Sequence, residues 1–255
     1  MLQNKKIVVV IPTYNAEKTL AMTVAAVPRD IVDEVIVIND ASTDTTLAVA
    51  ESLSGIVLIT HPKNTGYGGS QKTGYAEALA RGADVIVMVH GDFQYDPALV
   101  PDIIAPIVNG TADVCFGSRM HSKKSARAGG MSWWRFVANI ALSRFEELVF
   151  RLKLSEYHTG YRAYAGSMLR SIPFHLNSSN YVFDSEMIAQ IASGGFRMTE
   201  IPIPTRYEKD SLSPSFFKSA EYGLMTLMVV ANYLLHRAHV RTDARFLISS
   251  SGRVL

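Results

Sequence analysis

The chain has 255 residues, 48% of them hydrophobic and 19% charged, which excludes a disordered polymer and leaves room for one large α/β domain or two small ones. A formal net charge of +2 is too small to imply nucleic-acid binding, and none is expected, although a local basic patch is compatible with it. The single cysteine, Cys115, excludes an intramolecular disulfide and fits a reducing compartment. The apolar run 7–11 behind MLQNKK is too short for the core of a signal peptide, so no export is expected.

Short β-branched runs at 7–11, 34–38, 56–59, 85–89 and 114–116 alternate with helix-length stretches at 17–26, 44–53 and 70–80. That alternation predicts βαβ units, and hence a parallel sheet flanked by helices. Asp44 before Thr45 and Thr46 reads as a helix N-cap, and Asp96 before Pro97 reads as an N-cap followed by the first helical position. In open sheets of this kind ligands bind beyond the carboxyl ends of the strands. The loops after the first, second, third and fourth runs are therefore the ones that carry chemistry.

Past Gly117 the pattern changes. The segment 118–130 (SRMHSKKSARAGG) is polar, basic and glycine-tipped, as expected of a mobile loop. Residues 133–154 mix apolar positions with Arg135, Arg144, Arg151 and Lys153, which predicts one or two amphipathic helices. A second apolar stretch, 222–235, is shorter than the roughly 20 residues a bilayer requires and contains Asn232. It is expected to be interfacial or core-packed, and no repeat or low-complexity segment accompanies it.

The strongest signal is a set of loops in a fixed order. Pro12-Thr13-Tyr14-Asn15 follows the first run, Asn39-Asp40-Ala41-Ser42-Thr43-Asp44 the second, and His90-Gly91-Asp92-Phe93-Gln94 the fourth. Together these resemble the PxYN, DDGSxD and DxD-Q signatures of family-2 glycosyltransferases with the GT-A fold, in particular the branch acting on dolichol and other polyprenyl phosphates. The resemblance runs from about residue 7 to about 213. It implies a GT-A domain over 1–213, with a nucleotide-sugar half (1–117) and an acceptor half (118–213), followed by a C-terminal amphipathic helix and tail (214–255).

The resemblance places a nucleobase beside Asp40, whose carboxylate suits a ring N–H, with Tyr14 offering apolar surface. Pro12, Asn15 and Glu17 stand nearby, and Glu17 reads equally as a first-turn acid favoured by the helix dipole. Asn64, Gly66 and Gly69 open a helix in a glycine-rich run that admits either a close nucleotide approach or tight packing. A diphosphate leaving group calls for a divalent cation. Asp92 is the expected ligand, with Gly91 beside it and Gln94 following. Where relatives carry a first acid this chain has His90, which either ligates the metal or hydrogen-bonds off it; an imidazole ligand favours Mn²⁺ over Mg²⁺.

Gly117-Ser118-Arg119, then Arg135 with Asn139 one turn on, then Thr159-Gly160-Tyr161-Arg162 resemble the GSR, RxxxS/N and TGFR segments of the same branch. The resemblance implies that Arg119 and Arg135 clamp an acceptor phosphate, while Thr159, Gly160 and Arg162 shape that site. Guanidinium pairs with phosphate in bidentate fashion, and a phosphate monoester is already ionised at neutral pH. A saccharide hydroxyl would instead need a base, for which Asp184 and Glu186 are the candidates, although a helix N-terminal or structural role is the reading preferred for them. Farther on, 201–213 resembles a PIxFxxRxxGxSK segment, with Arg206 two residues before the expected arginine position and Glu208 at it; Arg206 is thus a candidate diphosphate contact.

Trp133 and Trp134, with Lys123, Lys124 and Arg127, are the combination expected of a membrane-surface segment. The expected enzyme thus moves a sugar from a UDP- or GDP-linked donor to a polyprenyl phosphate or a glycan, peripherally at the cytoplasmic face of the membrane. A catalytically impaired nucleotide-binding protein, suggested by His90, is the reading from another class.

Overall fold

The computed structural model describes residues 2, 4–120, 133–204 and 216–248, without the side chains of 133–136, 138 and 216–220. Arg206, Lys123, Lys124 and Arg127 therefore lie outside the described residues, as do the side chains of Trp133, Trp134 and Arg135.

Seven strands form one sheet: β1 (Ile7–Thr13), β2 (Glu34–Asn39), β3 (Val57–Thr60), β4 (Val85–Met88), β5 (Val114–Ser118), β6 (Arg162–Ala165) and β7 (Met198–Pro202), in the order β3-β2-β1-β4-β6-β5-β7. The first five match the β-branched runs to within a few residues. All neighbours are parallel except β6, which runs antiparallel to both β4 and β5. Neither β6 nor β7 announces itself in the sequence, because each is short and weakly alternating.

Successive residues of β1 serve opposite faces, as the strand period requires. Val8 and Val10 pack with Ile36, Ile38, Tyr75 and Phe183 on one side, whereas Ile7, Val9 and Ile11 pack with Leu20, Val24, Ile103 and Ile104 on the other. A central strand covered on both faces reads as a continuous apolar run for this reason. Helices α1 (Leu20–Ala25), α2 (Thr46–Ser52) and α4 (Val100–Val108) belong to the second side, and α3 (Tyr67–Ala80) to the first. Gly74 lets α3 lie against β1, since a Cβ there would come within 2.2 Å of Val10 Cγ1.

The remaining helices are α5 (Trp133–Phe150), α6 (Gly166–Ser171), α7 (Phe183–Gly194) and α8 (Phe216–Arg237). Asp96 caps a short 3-10 turn at Pro97 by accepting from Ala98 N–H at 3.0 Å, as its position predicts. Asp44 works one residue earlier than expected: the N-cap is Thr45, and Asp44 Oδ1 accepts from Thr46 N–H at 2.9 Å. The stretch 133–150 is a single helix. Along α8, Thr226, Val229, Val230 and Tyr233 are buried while Leu224, Leu227 and Met228 are exposed, so one apolar face is core-packed and another meets solvent. No described helix is long and apolar enough to cross a membrane.

Sheet topology sets the location of the site. The chain reverses direction of growth between β1 and β4, which creates the crevice where doubly wound sheets bind ligands. Because β6 is antiparallel, its first residue rather than its last lies at the carboxyl edge: Arg162 pairs with Met88 of β4 and Phe116 of β5. The turn preceding β6 therefore joins the loops that follow β1, β2, β4 and β5.

Candidate active site

The loops after β1 and β2 are fastened to each other by short polar side chains. Asn15, at a left-handed φ of 51°, receives Thr43 N–H on Oδ1 at 2.8 Å and donates its own N–H to Ser42 Oγ at 3.1 Å. Glu17 accepts from Thr45 N–H at 3.1 Å and Thr45 Oγ1 at 2.6 Å, and these bonds hold its carboxyl below the usual range. Glu17 is thereby tied to the start of α2. Tyr14 stays half exposed at the mouth of the crevice.

Asp40 is buried and both its oxygens are occupied by its own chain. Oδ1 accepts from Thr65 N–H and Thr65 Oγ1 at 2.8 Å each and faces His61 Nδ1 at 2.7 Å; Oδ2 accepts from Gly66 N–H at 2.9 Å. Burial opposes ionisation, but the bonds from His61, Thr65 and Gly66 outweigh it and hold the carboxyl below its ordinary value. Four partners are about what a carboxylate accommodates. Asp40 thus clamps the turn 61–66, with Asn64 Nδ2 adding a bond to its carbonyl at 3.2 Å.

The glycines of that turn are filled by protein, which corrects the expectation of a nucleotide against Gly66 and Gly69. Gly66 has φ 84°, and a Cβ on it would meet Ser179 O at 2.5 Å; at Gly69 a Cβ would meet Thr65 Oγ1 at 2.6 Å. The N–H groups of Gly68 and Gly69 both donate to Ser179 O, at 2.8 and 3.2 Å. Of the two roles open to this run, packing against the segment 178–180 is the one realised.

After β4 the chain presents a carboxylate to solvent. Asp92 is exposed and its Oδ1 accepts from Gln94 N–H at 3.0 Å, across Phe93 at φ 59°. Gly91 O anchors the loop by accepting from Thr19 Oγ1 at 2.7 Å, and Gly91 itself leaves no room for a Cβ beside Thr13 Oγ1, at 2.9 Å. His90 points inward. Its Nε2 lies 3.1 Å from the Tyr67 hydroxyl, its ring sits edge-on to Tyr67 and Tyr95, and burial holds its pKa below the usual value. The hydrogen-bonding role is the one it takes, so the imidazole argument for Mn²⁺ falls away. Gln94 reaches Asp92 through its backbone. Among the described residues no three His, Cys, Asp or Glu side chains form a ready-made cation site. A single exposed carboxylate fits a cation whose other ligands come from phosphate and water.

On the other side, charges are paired in the interior. Arg119, just past β5, donates its backbone N–H to Glu156 Oε2 at 2.8 Å, its Nε to Glu156 Oε1 at 2.9 Å, and Nη2 to both Glu156 Oε1 and His158 O. Asn139 Nδ2 reaches the same carboxylate at 3.3 Å. Arg162 is fully buried, which removes it as an acceptor contact. It donates Nε to Thr159 O at 2.7 Å, lies 3.3 Å from Asp184 Oδ2 and stacks over Phe116 with Cζ 4.3 Å from the ring centroid. Thr159 is buried, and Gly160 N–H donates to the Tyr95 hydroxyl at 3.0 Å.

Of the two candidate bases, Glu186 is excluded. It is buried away from the crevice, accepting from Ser178 N–H at 2.6 Å and Arg245 Nη1 at 2.5 Å. Asp184 does stand at the crevice, where it accepts from Tyr67 OH at 3.1 Å and Gln71 Nε2 at 3.2 Å besides pairing with Arg162. Sequence reasoning missed four organising residues: His61, Tyr67, Tyr95 and Glu156. Tyr95 matters most, because its ring contacts His90 at 5.2 Å and Arg119 at 5.9 Å while its hydroxyl holds Gly160. It joins the Asp92 loop to the Arg119 side. Only the short spacing of Tyr95 from Asp92 could have flagged it.

Comparison with known proteins shows the family and the fold. The family model described as Glycosyl transferase family 2 matches residues 8–172. An undecaprenyl-phosphate mannosyltransferase of Micrococcus luteus is 33% identical over 209 residues, covering 78% of this chain and 82% of its own length. A UDP-N-acetylglucosamine–dolichyl-phosphate N-acetylglucosaminyltransferase of Methanococcus voltae is 27% identical over 228 residues, covering 83% and 90%. Among solved structures, glucosyl-3-phosphoglycerate synthase from Mycobacterium tuberculosis, in complex with Mn²⁺, UDP and phosphoglyceric acid, superposes with a TM-score of 0.68 at 20% identity, covering 94% of this chain and 81% of that one. The last likeness is one of fold.

Proposed function

Because the chain belongs to glycosyl transferase family 2, with the GT-A fold, we propose that this glycosyltransferase moves a sugar from a nucleotide-diphosphate donor to a polyprenyl phosphate, inverting the anomeric carbon. One observation supports the reading: the buried Tyr95 ring packs against His90, two residues before the exposed Asp92, and against the Arg119 guanidinium, so the loop carrying Asp92 and the Arg119 turn are anchored on one residue. Donor diphosphate and acceptor phosphate can then meet across a single crevice.

The nucleoside enters beside Tyr14, against the laced loops after β1 and β2, with Asp40 keeping the turn 61–66 in place. When bound, a divalent cation neutralises charge on the departing diphosphate. Asp92 is the residue that holds it, and Mn²⁺, present in the complex of the fold neighbour, is the first ion to test. Arg119 and Arg135 receive the acceptor phosphate. A phosphate oxygen forms the new bond to the anomeric carbon, and the bond to the nucleotide diphosphate breaks with its electron pair going to that leaving group. With a second pKa of about 6 the acceptor has already lost its proton at neutral pH, so no base is needed. This agrees with Asp184 being occupied by Tyr67, Gln71 and Arg162. The exposed residues Leu224, Leu227 and Met228 of α8 give the protein an apolar surface suited to peripheral contact with the membrane that carries such an acceptor.

The test is a panel of UDP- and GDP-sugars, with and without Mn²⁺, offered undecaprenyl phosphate or an oligosaccharide. Labelled sugar is expected in the lipid-soluble product. Transfer to the oligosaccharide alone would overturn the assignment of the acceptor.

A further inference from the structure

Glu156 is wholly buried, 37 residues from Arg119 in sequence, and meets both Arg119 and Asn139. It engages Arg119 twice over, through the backbone N–H and through the Nε–Nη2 edge of the guanidinium. The same Nη2 is held from another direction by His158 O at 2.9 Å, and the Tyr95 ring flanks the group. An arginine gripped along its Nε–Nη2 edge, at Nη2 by a carbonyl and at its backbone has the plane of its guanidinium fixed in direction. A buried ion pair is weak evidence for stability, because desolvating two charges offsets most of their attraction. Orientation is what such a pair supplies.

We infer that Glu156 is a positioning residue for the acceptor phosphate, acting through Arg119 and Asn139. The inference rests on the reading of Arg119 as a phosphate contact. Glu156 itself touches no substrate: it presets the side chains that do, so that phosphate arrives at an arginine already aligned. Glu156→Gln retains volume and one acceptor oxygen but sets an amide N–H₂ against the guanidinium. Glu156→Asp retains the carboxylate on a shorter arm.

With undecaprenyl phosphate, Glu156→Gln is expected to raise the acceptor KM about tenfold while the donor KM stays within about twofold, with Glu156→Asp intermediate. The double variant Arg119→Ala with Glu156→Gln should lose no more than Arg119→Ala alone, because the two act as a unit. Losses that multiply, or a donor KM that rises in step, would overturn the inference. A measurement independent of the acceptor keeps it separate from the reading it rests on. In a ¹⁵N-edited spectrum the Nε–H of Arg119, assigned by its disappearance in Arg119→Lys, should be a protected resonance in the wild type and should be lost in Glu156→Gln. Its persistence there would overturn the positioning role whichever acceptor the enzyme uses, whereas wild-type inactivity toward the lipid with the resonance behaving as expected would count against the acceptor reading alone.

Discussion

Around β1, β2 and β4 the crevice is held together by hydrogen bonds from short polar side chains and backbone, some of them accepted by the carboxylates of Glu17 and Asp40: Asn15 to Thr43, Glu17 to Thr45, Asp40 to Thr65 and Gly66, Thr19 to Gly91. Around β5 and β6 it is held by buried ion pairs, Arg119 with Glu156 and Arg162 with Asp184. The first arrangement leaves a carboxylate, Asp92, facing solvent, which suits a cation that arrives with its substrate. The second fixes the Arg119 guanidinium in place, which suits recognition of an anion, and uses Arg162 as a buried tether. Single hydrogen bonds are worth about 0.5–1.5 kcal/mol each, and about 1.5–3 kcal/mol where one partner is charged, whereas breaking one partner of a buried ion pair costs about 3–5 kcal/mol. The two regions should therefore fail differently when substituted.

The sharpest way to break that contrast is Arg162→Ala. It leaves Asp184 without its cation and removes the stack on Phe116, and should lower stability to urea by about 3–5 kcal/mol; a loss below about 1 kcal/mol would make the two regions alike. Asp40→Asn comes next, at about 1–3 kcal/mol, since the amide cannot accept from all four partners. Its pH signature is specific. The folded carboxyl lies below its unfolded value of about 3.9, so its contribution is present above that value and is lost as pH falls through the lower folded pKa. The variant's urea midpoint should accordingly fall less on acidification from pH 5 to about 3 than the wild type's does. Gly66→Ala should cost about 1–3 kcal/mol from the positive φ together with the approach to the Ser179 carbonyl, with the donor KM unchanged. A large rise in donor KM would restore the nucleotide to that turn.

What could be read from the sequence follows the same division. Strands β1 to β5 and the loops after three of them are local features, marked by β-branched runs and by Pro12, Asp40 and Asp92 at their ends. Partners far along the chain left no such mark. Nothing in the sequence ties Glu156 to Arg119 or Asp184 to Arg162; those pairings exist because β6 runs antiparallel, and β6 is too short to be predicted. For the same reason Arg162, expected to shape the acceptor site, could not be foreseen as a buried tether. Glu186 looked like a base although it lies beside Arg245, 59 residues on. The glycine run 66–69 was legible as a place of close approach, but not whether a ligand or the segment 178–180 does the approaching.

A divalent cation bound with the nucleotide diphosphate would be held by Asp92, at the β4 end of the crevice. Calorimetric titration of UDP and GDP into the wild type and Asp92→Ala, with and without Mn²⁺, tests this most directly. One nucleotide should bind at least about tenfold more tightly with Mn²⁺ in the wild type, and that gain should vanish in Asp92→Ala while thermal stability is unchanged, since an exposed carboxylate contributes little to the fold. An equal Mn²⁺-dependent gain in both proteins, or none in the wild type, would contradict the account.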